Sequence, residues 1–234
     1  YATYRQSLRT LAPGSSSQLP LTPRSAHEFW TMKCNRLPDA EIAAASGLSP
    51  AQLPICMATV QAVVNSPDLL GLDRLQVGVV AALSRLRQRG VGVMIVSLRQ
   101  TEQIEQMISQ WGLRPFIQDV IGAESETVAY LNHADHKTAL LEQAIARAES
   151  QGLQPGWMIG DTEADILAAQ ACRLPVAAVT SGIRSCQYLK AFQPTLLTSD
   201  LHLATRSLLA NLPATRSLWP PQWSPQPQTQ PNLC

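Results

Sequence analysis

The spacing of apolar residues changes near residue 73 and divides the chain in two. Before that point the pattern predicts only short helices, at about 1–11, 25–36, 38–46 and 50–64, and no strand. Pro23, the Pro38-Asp39 pair and Ser49-Pro50 mark helix starts, because proline suits a first turn and Ser or Asp caps it; Gly47 marks a stop. Between the first two helices, Ala12-Pro-Gly-Ser-Ser-Ser17 reads as a flexible loop.

After residue 73 helices and strands alternate. A helix over 77–89 has Val80, Leu83 and Leu86 as its apolar stripe and ends at Gly90. The β-branched run Val91–Ser97 lacks alternation, as expected of a parallel strand covered on both faces. A helix over 101–111, a weaker strand over 116–121 and an amphipathic helix over 136–150 follow. Then come a strand over 156–160, a helix over 163–172, a strand over 175–180, a short edge strand at 196–198 and a helix over 201–211. This order predicts an α/β fold with a doubly wound parallel sheet over 73–213, preceded by a small all-helical unit over 1–72. Pro220, Pro221, Pro225, Pro227 and Pro231 among glutamines make 214–234 an extended, disordered tail.

Composition narrows the functions. Of 234 residues, 45% are apolar and 15% charged, enough apolar content for a packed core. A net charge of +1 without a basic run gives no reason to expect nucleic acid or an anionic membrane as partner. No apolar run approaches a membrane span. Five scattered cysteines, odd in number and without C-x-x-C, fit a reducing compartment, so a cytoplasmic location is expected.

In an open α/β sheet ligands bind beyond the carboxyl ends of the strands, which directs the search for chemistry. Asp161 ends one strand, and Asp165 follows one helical turn later, facing the same crevice. Two carboxylates so spaced suit a hard divalent cation such as Mg²⁺; they could equally cap the following helix and complement its dipole. Ser97 closes the run Val91–Val96, where its hydroxyl can donate to a phosphoryl oxygen or cap the next helix. Lys137 stands at the start of the 136–150 helix, against the helix dipole; it can neutralise phosphate or remain a solvated lysine. His133, Asp135 and His136 lack a standard ligand spacing and suit a loop and N-cap. Cys34 and Cys172 suit packing, Arg184 stands where it could touch an anion or face solvent, and Trp219 and Trp223 suggest no mechanism.

Taken together and in order, Ser97, Lys137 and Gly160-Asp161-x-x-x-Asp165 resemble the second, third and fourth motifs of the haloacid dehalogenase (HAD) superfamily. The helical start is similar to the small helical cap of the phosphoglycolate-phosphatase-like branch. The stretch from Asp73 resembles the return from cap to core, with Val77 where a proline is typical. The resemblance implies a Rossmann-like HAD core and a Mg²⁺-dependent phosphatase acting on a small phosphorylated metabolite through an aspartyl-phosphate. Lys137 and Asp161 would then be catalytic, Ser97 and Lys137 would bind phosphate, and Asp161 and Asp165 would hold the metal.

The family's first motif, Asp-x-Asp at the end of the first strand, occurs nowhere in the 234 residues. That strand is central in the family's sheet, and its loss would leave unpaired backbone on both neighbours. The strand and its nucleophilic aspartate are therefore expected upstream of Tyr1. The alternative is a catalytically inactive binding or scaffold protein on the same fold. A moving cap further predicts a hinge near 68–76.

Overall fold

The computed structural model describes residues 1–11, 21–64, 66, 69, 71–125 and 131–210. The loop at 12–17, part of the hinge at 68–76, and the tail with Trp219 and Trp223 lie outside the described residues.

Four helices open the chain: α1 (Ala2–Leu11), α2 (Ala26–Cys34), α3 (Asp39–Ala44) and α4 (Leu53–Val63). Ser25 starts α2 with a reciprocal cap, its Oγ accepting from the Glu28 amide while Glu28 accepts from the Ser25 amide. The α3 helix stops before Gly47, whose positive φ of 95° turns the chain away without a Cβ penalty. The four helices close on one apolar cluster of Tyr4, Leu8, Phe29, Ile42, Leu48, Cys56 and Val60. Tyr4 also hydrogen-bonds Ser46 at 2.7 Å, so its hydroxyl is satisfied where it is buried.

The second part follows the expected alternation. In order come α5 (Val79–Gln88), β1 (Met94–Gln100), α6 (Thr101–Gln110), β2 (Asp119–Ala123) and α7 (Ala134–Ser150). They are followed by β3 (Met158–Gly160), α8 (Glu163–Ala171), β4 (Val176–Val179), α9 (Cys186–Lys190), β5 (Leu196–Thr198) and α10 (Leu201–Ala210). All strand pairs are parallel: β1 with β2, β3 with β4, and β4 with β5. Side chains of alternate residues serve two helical layers. Ile95 and Val120 meet α5, α6 and α10 through Leu83, Leu86, Ile104, Ile108 and Leu209. Val96, Met158, Val176 and Ala178 meet α7, α8 and α9 through Leu141, Ile166, Ala169 and Leu189. With both faces covered, the near-continuous apolar strands are accounted for.

Among the described residues the strands form two sheets, β1–β2 and β3–β4–β5, rather than one. The chain winds outward from β1 to β2, crosses back through α7, and winds the other way from β3. The two facing edges, β1 and β3, therefore mark the topological switch point. Among the described residues neither pairs with a strand on that side. Ahead of the β1–β2 ladder, Val93 O accepts from Gln118 N, and Val96 O accepts from the Lys137 ammonium. Met158 N donates to Pro175 O, so Trp157 and Ile159 point their backbone groups away from β4.

Several expectations shift. The first strand starts at Met94, three residues late, and runs on to Gln100, so Ser97 is not its last residue. The regular ladder nevertheless stops at Val96–Ile121, with a register shift before Gln100, so Ser97 stands where regular pairing ends. The next strand is Asp119–Ala123, displaced because Pro115 seeds a 3-10 turn at Arg114–Phe116. On α5, Val80 is exposed and Ala82, with Leu83 and Leu86, forms the buried stripe. The α7 helix begins at Ala134, which places Lys137 inside its second turn, and α9 was not expected at all.

Candidate functional site

Ser97, Lys137, Asp161 and Asp165 converge at the carboxyl end of the sheet, where β1 and β3 part. The Lys137 ammonium joins the two sheets: it donates to Val96 O at 2.8 Å on β1 and pairs with Asp165 Oδ1 at 2.8 Å on α8. It is no solvated lysine, since only 8% of the residue is exposed. A buried ammonium must be paired and hydrogen-bonded to be tolerated, and here it is. With three donors and two used, one N–H remains for another acceptor.

Asp165 is buried, and both of its oxygens meet protein donors. Its Oδ2 accepts from the amides of Asp161 and Thr162, both at 3.1 Å, and from Thr162 Oγ1 at 2.8 Å. Thr162, not Asp161, is the N-cap of α8, and Asp165 completes the capping box. Asp165 also lies against Gly160, where a Cβ would come within 2.3 Å of its carboxylate carbon.

Asp161 is free of capping duty. Its Oδ2 accepts from the Ile183 amide at 2.7 Å, and apart from its own amide no further donor to its carboxylate stands among the described residues. Burial raises its carboxyl above the ordinary value, and the nearby Asp165 charge adds to this; the Ile183 amide and Lys137 oppose it. Ser97 is not the cap of α6, a place held by Gln100. Its Oγ accepts from the Arg99 amide at 3.2 Å, and its hydroxyl proton has no acceptor among the described residues.

The carboxylate oxygens here suit a hard cation, and a carboxylate with one open oxygen is the usual protein contribution to a Mg²⁺ site. Asp161 fits that role. Asp165 gives Oδ2 to three protein donors and Oδ1 to Lys137, which orients Lys137 and the 160–162 turn. Among the described residues no group of three or more His, Cys, Asp or Glu side chains gathers as a metal site. His133 and His136 have ring centroids 6.0 Å apart, and His133 occupies the N-cap position of α7 without a side-chain cap bond.

A second cluster beside the first had no sequence signal beyond Arg184. That residue, expected to touch an anion or face solvent, is buried with 4% exposure. Its Nε and Nη2 donate to Glu163 at 2.7 and 3.3 Å. Arg36 Nε reaches the same carboxylate at 2.8 Å, and Asn132 donates to it at 3.1 Å. Burial would raise Glu163, but hydrogen bonds from Arg184 and the charges of Arg184 and Arg36 outweigh it and hold the carboxyl low.

The fold defines a doubly wound α/β protein with its candidate site residues at the switch point and an all-helical unit beside it. Residues 38–173, more than half of the chain, match the family model of the haloacid dehalogenase-like hydrolases, and the protein belongs to that family. Solved structures agree on the fold. The haloacid dehalogenase-like hydrolase SP0104 from Streptococcus pneumoniae is similar with a TM-score of 0.63, at 18% identity over 88% of each chain. A predicted phosphatase from Clostridium acetobutylicum has a TM-score of 0.61, at 15% identity over 89% of each chain. A predicted phosphoglycolate phosphatase from Haemophilus somnus 129pt has a TM-score of 0.57, at 15% identity over 88% of each chain. No curated protein sequence matches the chain. Among the described residues no helix is long and apolar enough to cross a membrane.

Proposed function

We propose that the protein is a Mg²⁺-dependent phosphatase of a small phosphorylated metabolite, working through an aspartyl-phosphate. The observation that carries this is the meeting of Ser97, Lys137, Asp161 and Asp165 at the parting of β1 and β3. The nucleophilic aspartate would end a strand that precedes Tyr1 in the chain and lies between β1 and β3. Among the described residues β1 and β3 pair with no strand at the edges where the sheets part, and apolar layers lie on both sides of the strands; both support that place for it.

Lys137 would turn its remaining N–H to the phosphate and the nucleophile, held in position by Asp165 and Val96 O. Ser97 would donate its free hydroxyl proton to a phosphoryl oxygen. Asp161 would hold Mg²⁺ through Oδ1, while the Ile183 amide fixes Oδ2. When bound, the metal supplies charge neutralisation on the phosphoryl oxygens. The α1–α4 unit would act as the cap that closes over the leaving group, and a cytoplasmic setting suits the free thiols.

The experiment is p-nitrophenyl phosphate hydrolysis in Mg²⁺ and in EDTA by a polypeptide that carries the proposed upstream aspartate, with Asp161→Ala in the same polypeptide beside it. Metal-dependent turnover reduced at least about 100-fold by the substitution is expected. A folded protein that binds inorganic phosphate but never turns the ester over would instead support the inactive binding protein.

A further inference from the structure

Four consecutive residues, Gly182 to Ser185, leave β4 and touch both the catalytic end of the sheet and the helical unit. Gly182 passes against Asp161 so closely that a Cβ would stand 2.0 Å from Oδ2 and 2.2 Å from the Asp161 Cβ. Ile183 donates its amide to that same Oδ2 at 2.7 Å. Arg184 donates Nη1 to Lys33 O at 3.1 Å, at the end of α2. Ser185 donates its amide to Cys34 O at 2.9 Å and its hydroxyl to Asn35 Oδ1 at 2.8 Å.

At the end of α2 the strap supplies a donor to Cys34 O and a further one to Lys33 O, which the Arg36 amide also reaches. Arg184 is the rigid member. Its guanidinium is buried between Glu163, Lys33 O and the Tyr188 ring, 5.9 Å from the ring centroid. A buried guanidinium is stable only while its partners stay, so displacing α2 would strip a partner from Arg184 and let water reach it. The contact at Gly182 leaves no slack, so the strap cannot shift without moving the Asp161 carboxylate.

We propose that residues 182–185 form a strap that makes the orientation of Asp161 depend on where the end of α2 sits, with Arg184 as the positioning residue that anchors it. The importance of this for catalysis rests on reading Asp161 as the metal-holding carboxylate. Closure of the helical unit then sets the carboxylate, and its opening releases it, so substrate enclosure and site assembly become one event.

The test is amide hydrogen exchange and ¹⁵N NMR of the metal-free protein, read at Ile183. Arg184→Met removes the anchor, Arg184→Lys keeps its charge without the fork, and Asn35→Ala cuts a link on the helical side that never touches Asp161. Ile183 exchange is expected to quicken about tenfold in Arg184→Met, by a smaller factor in Arg184→Lys, and about threefold in Asn35→Ala. Its amide resonance moves in the same order, while Ala177 and Ala178 in β4 keep their exchange rates. Should Arg184→Met not fold, Arg184→Lys and Asn35→Ala carry the same readout. Ile183 exchange and shift that stay at natural values in the folded variants overturn the strap. Because the readout needs neither metal nor turnover, failure of the phosphatase reading and failure of the strap are separate results.

Discussion

Gly182→Ala isolates the tight approach around Asp161. The glycine has no positive φ, so alanine brings no backbone strain and its effect is purely steric. Its Cβ would stand 2.0 to 2.3 Å from Oδ2, Cβ and Cγ of Asp161, closer than any real contact. Either the Asp161 side chain swings away or the 182–185 backbone lifts. Overpacking of this kind costs ~1–3 kcal/mol. Displacement also breaks the Ile183 amide to carboxylate bond, which contributes about 1.5–3 kcal/mol as a hydrogen bond to a charged group. The two losses share one movement, so about 3 kcal/mol in total is expected. In urea, with a slope near 2 kcal/mol/M, the unfolding midpoint falls by about 1.5 M. Gly156→Ala is the matched control: nothing stands within 4 Å of its Cβ position, and ~0.4–1 kcal/mol of stabilisation is expected through the unfolded chain. A Gly182→Ala midpoint equal to that of the natural protein would refute the close packing of Asp161 on the strap.

Lys137→Met leaves Asp165 buried with Oδ1 unpaired and should cost about 3–5 kcal/mol by urea denaturation. The double change with Asp165→Asn should recover part of that loss; no recovery would mean that the ion pair is not what Lys137 contributes. The two perturbed carboxyls should respond to pH with opposite signs. Asp161 titrates higher in the folded state than unfolded, so its contribution is fully present below about pH 4 and lost as pH rises through its folded value. Asp161→Asn in EDTA should therefore exceed the natural protein in stability at pH 7, with the gap closing toward pH 4; a gap that does not change with pH contradicts this. Glu163 titrates lower when folded, so its contribution is present above about pH 4.3 and lost as pH falls. Glu163→Gln should be less stable at pH 7, and a deficit that widens on acidification would reverse the assigned sign.

The fold was legible where one period dominates. Val91–Ser97, of which Met94–Ser97 is strand, and Val176–Val179 are apolar without alternation, and both contribute parallel strands between two helical layers. Strand edges were less legible, because a short β-branched run does not state where its ladder begins; Met94–Gln100 took its limits from pairing with β2. The α9 helix has five residues, too few for a periodic signal, and depends on the Ser185 cap to the Tyr188 amide. In the site, Asp161 and Asp165 could be placed at one crevice by their spacing, but not told apart. The difference lies in which donors each meets, and Thr162 and Ile183 supply them from separate elements. Arg184 and Glu163 were out of reach for the same reason, being 21 residues apart and joined to Arg36 and Lys33 much earlier in the chain.

The central claim is that this switch point carries phosphatase chemistry once a strand ending in a nucleophilic aspartate lies between β1 and β3. Its most direct test compares p-nitrophenyl phosphate hydrolysis in Mg²⁺ by residues 1–234 alone and by a polypeptide extended upstream of Tyr1 with a strand that ends in the proposed aspartate. The account predicts turnover by the longer polypeptide only, abolished by Asp161→Ala. Two cooperatively folded polypeptides that both leave the ester intact would contradict it.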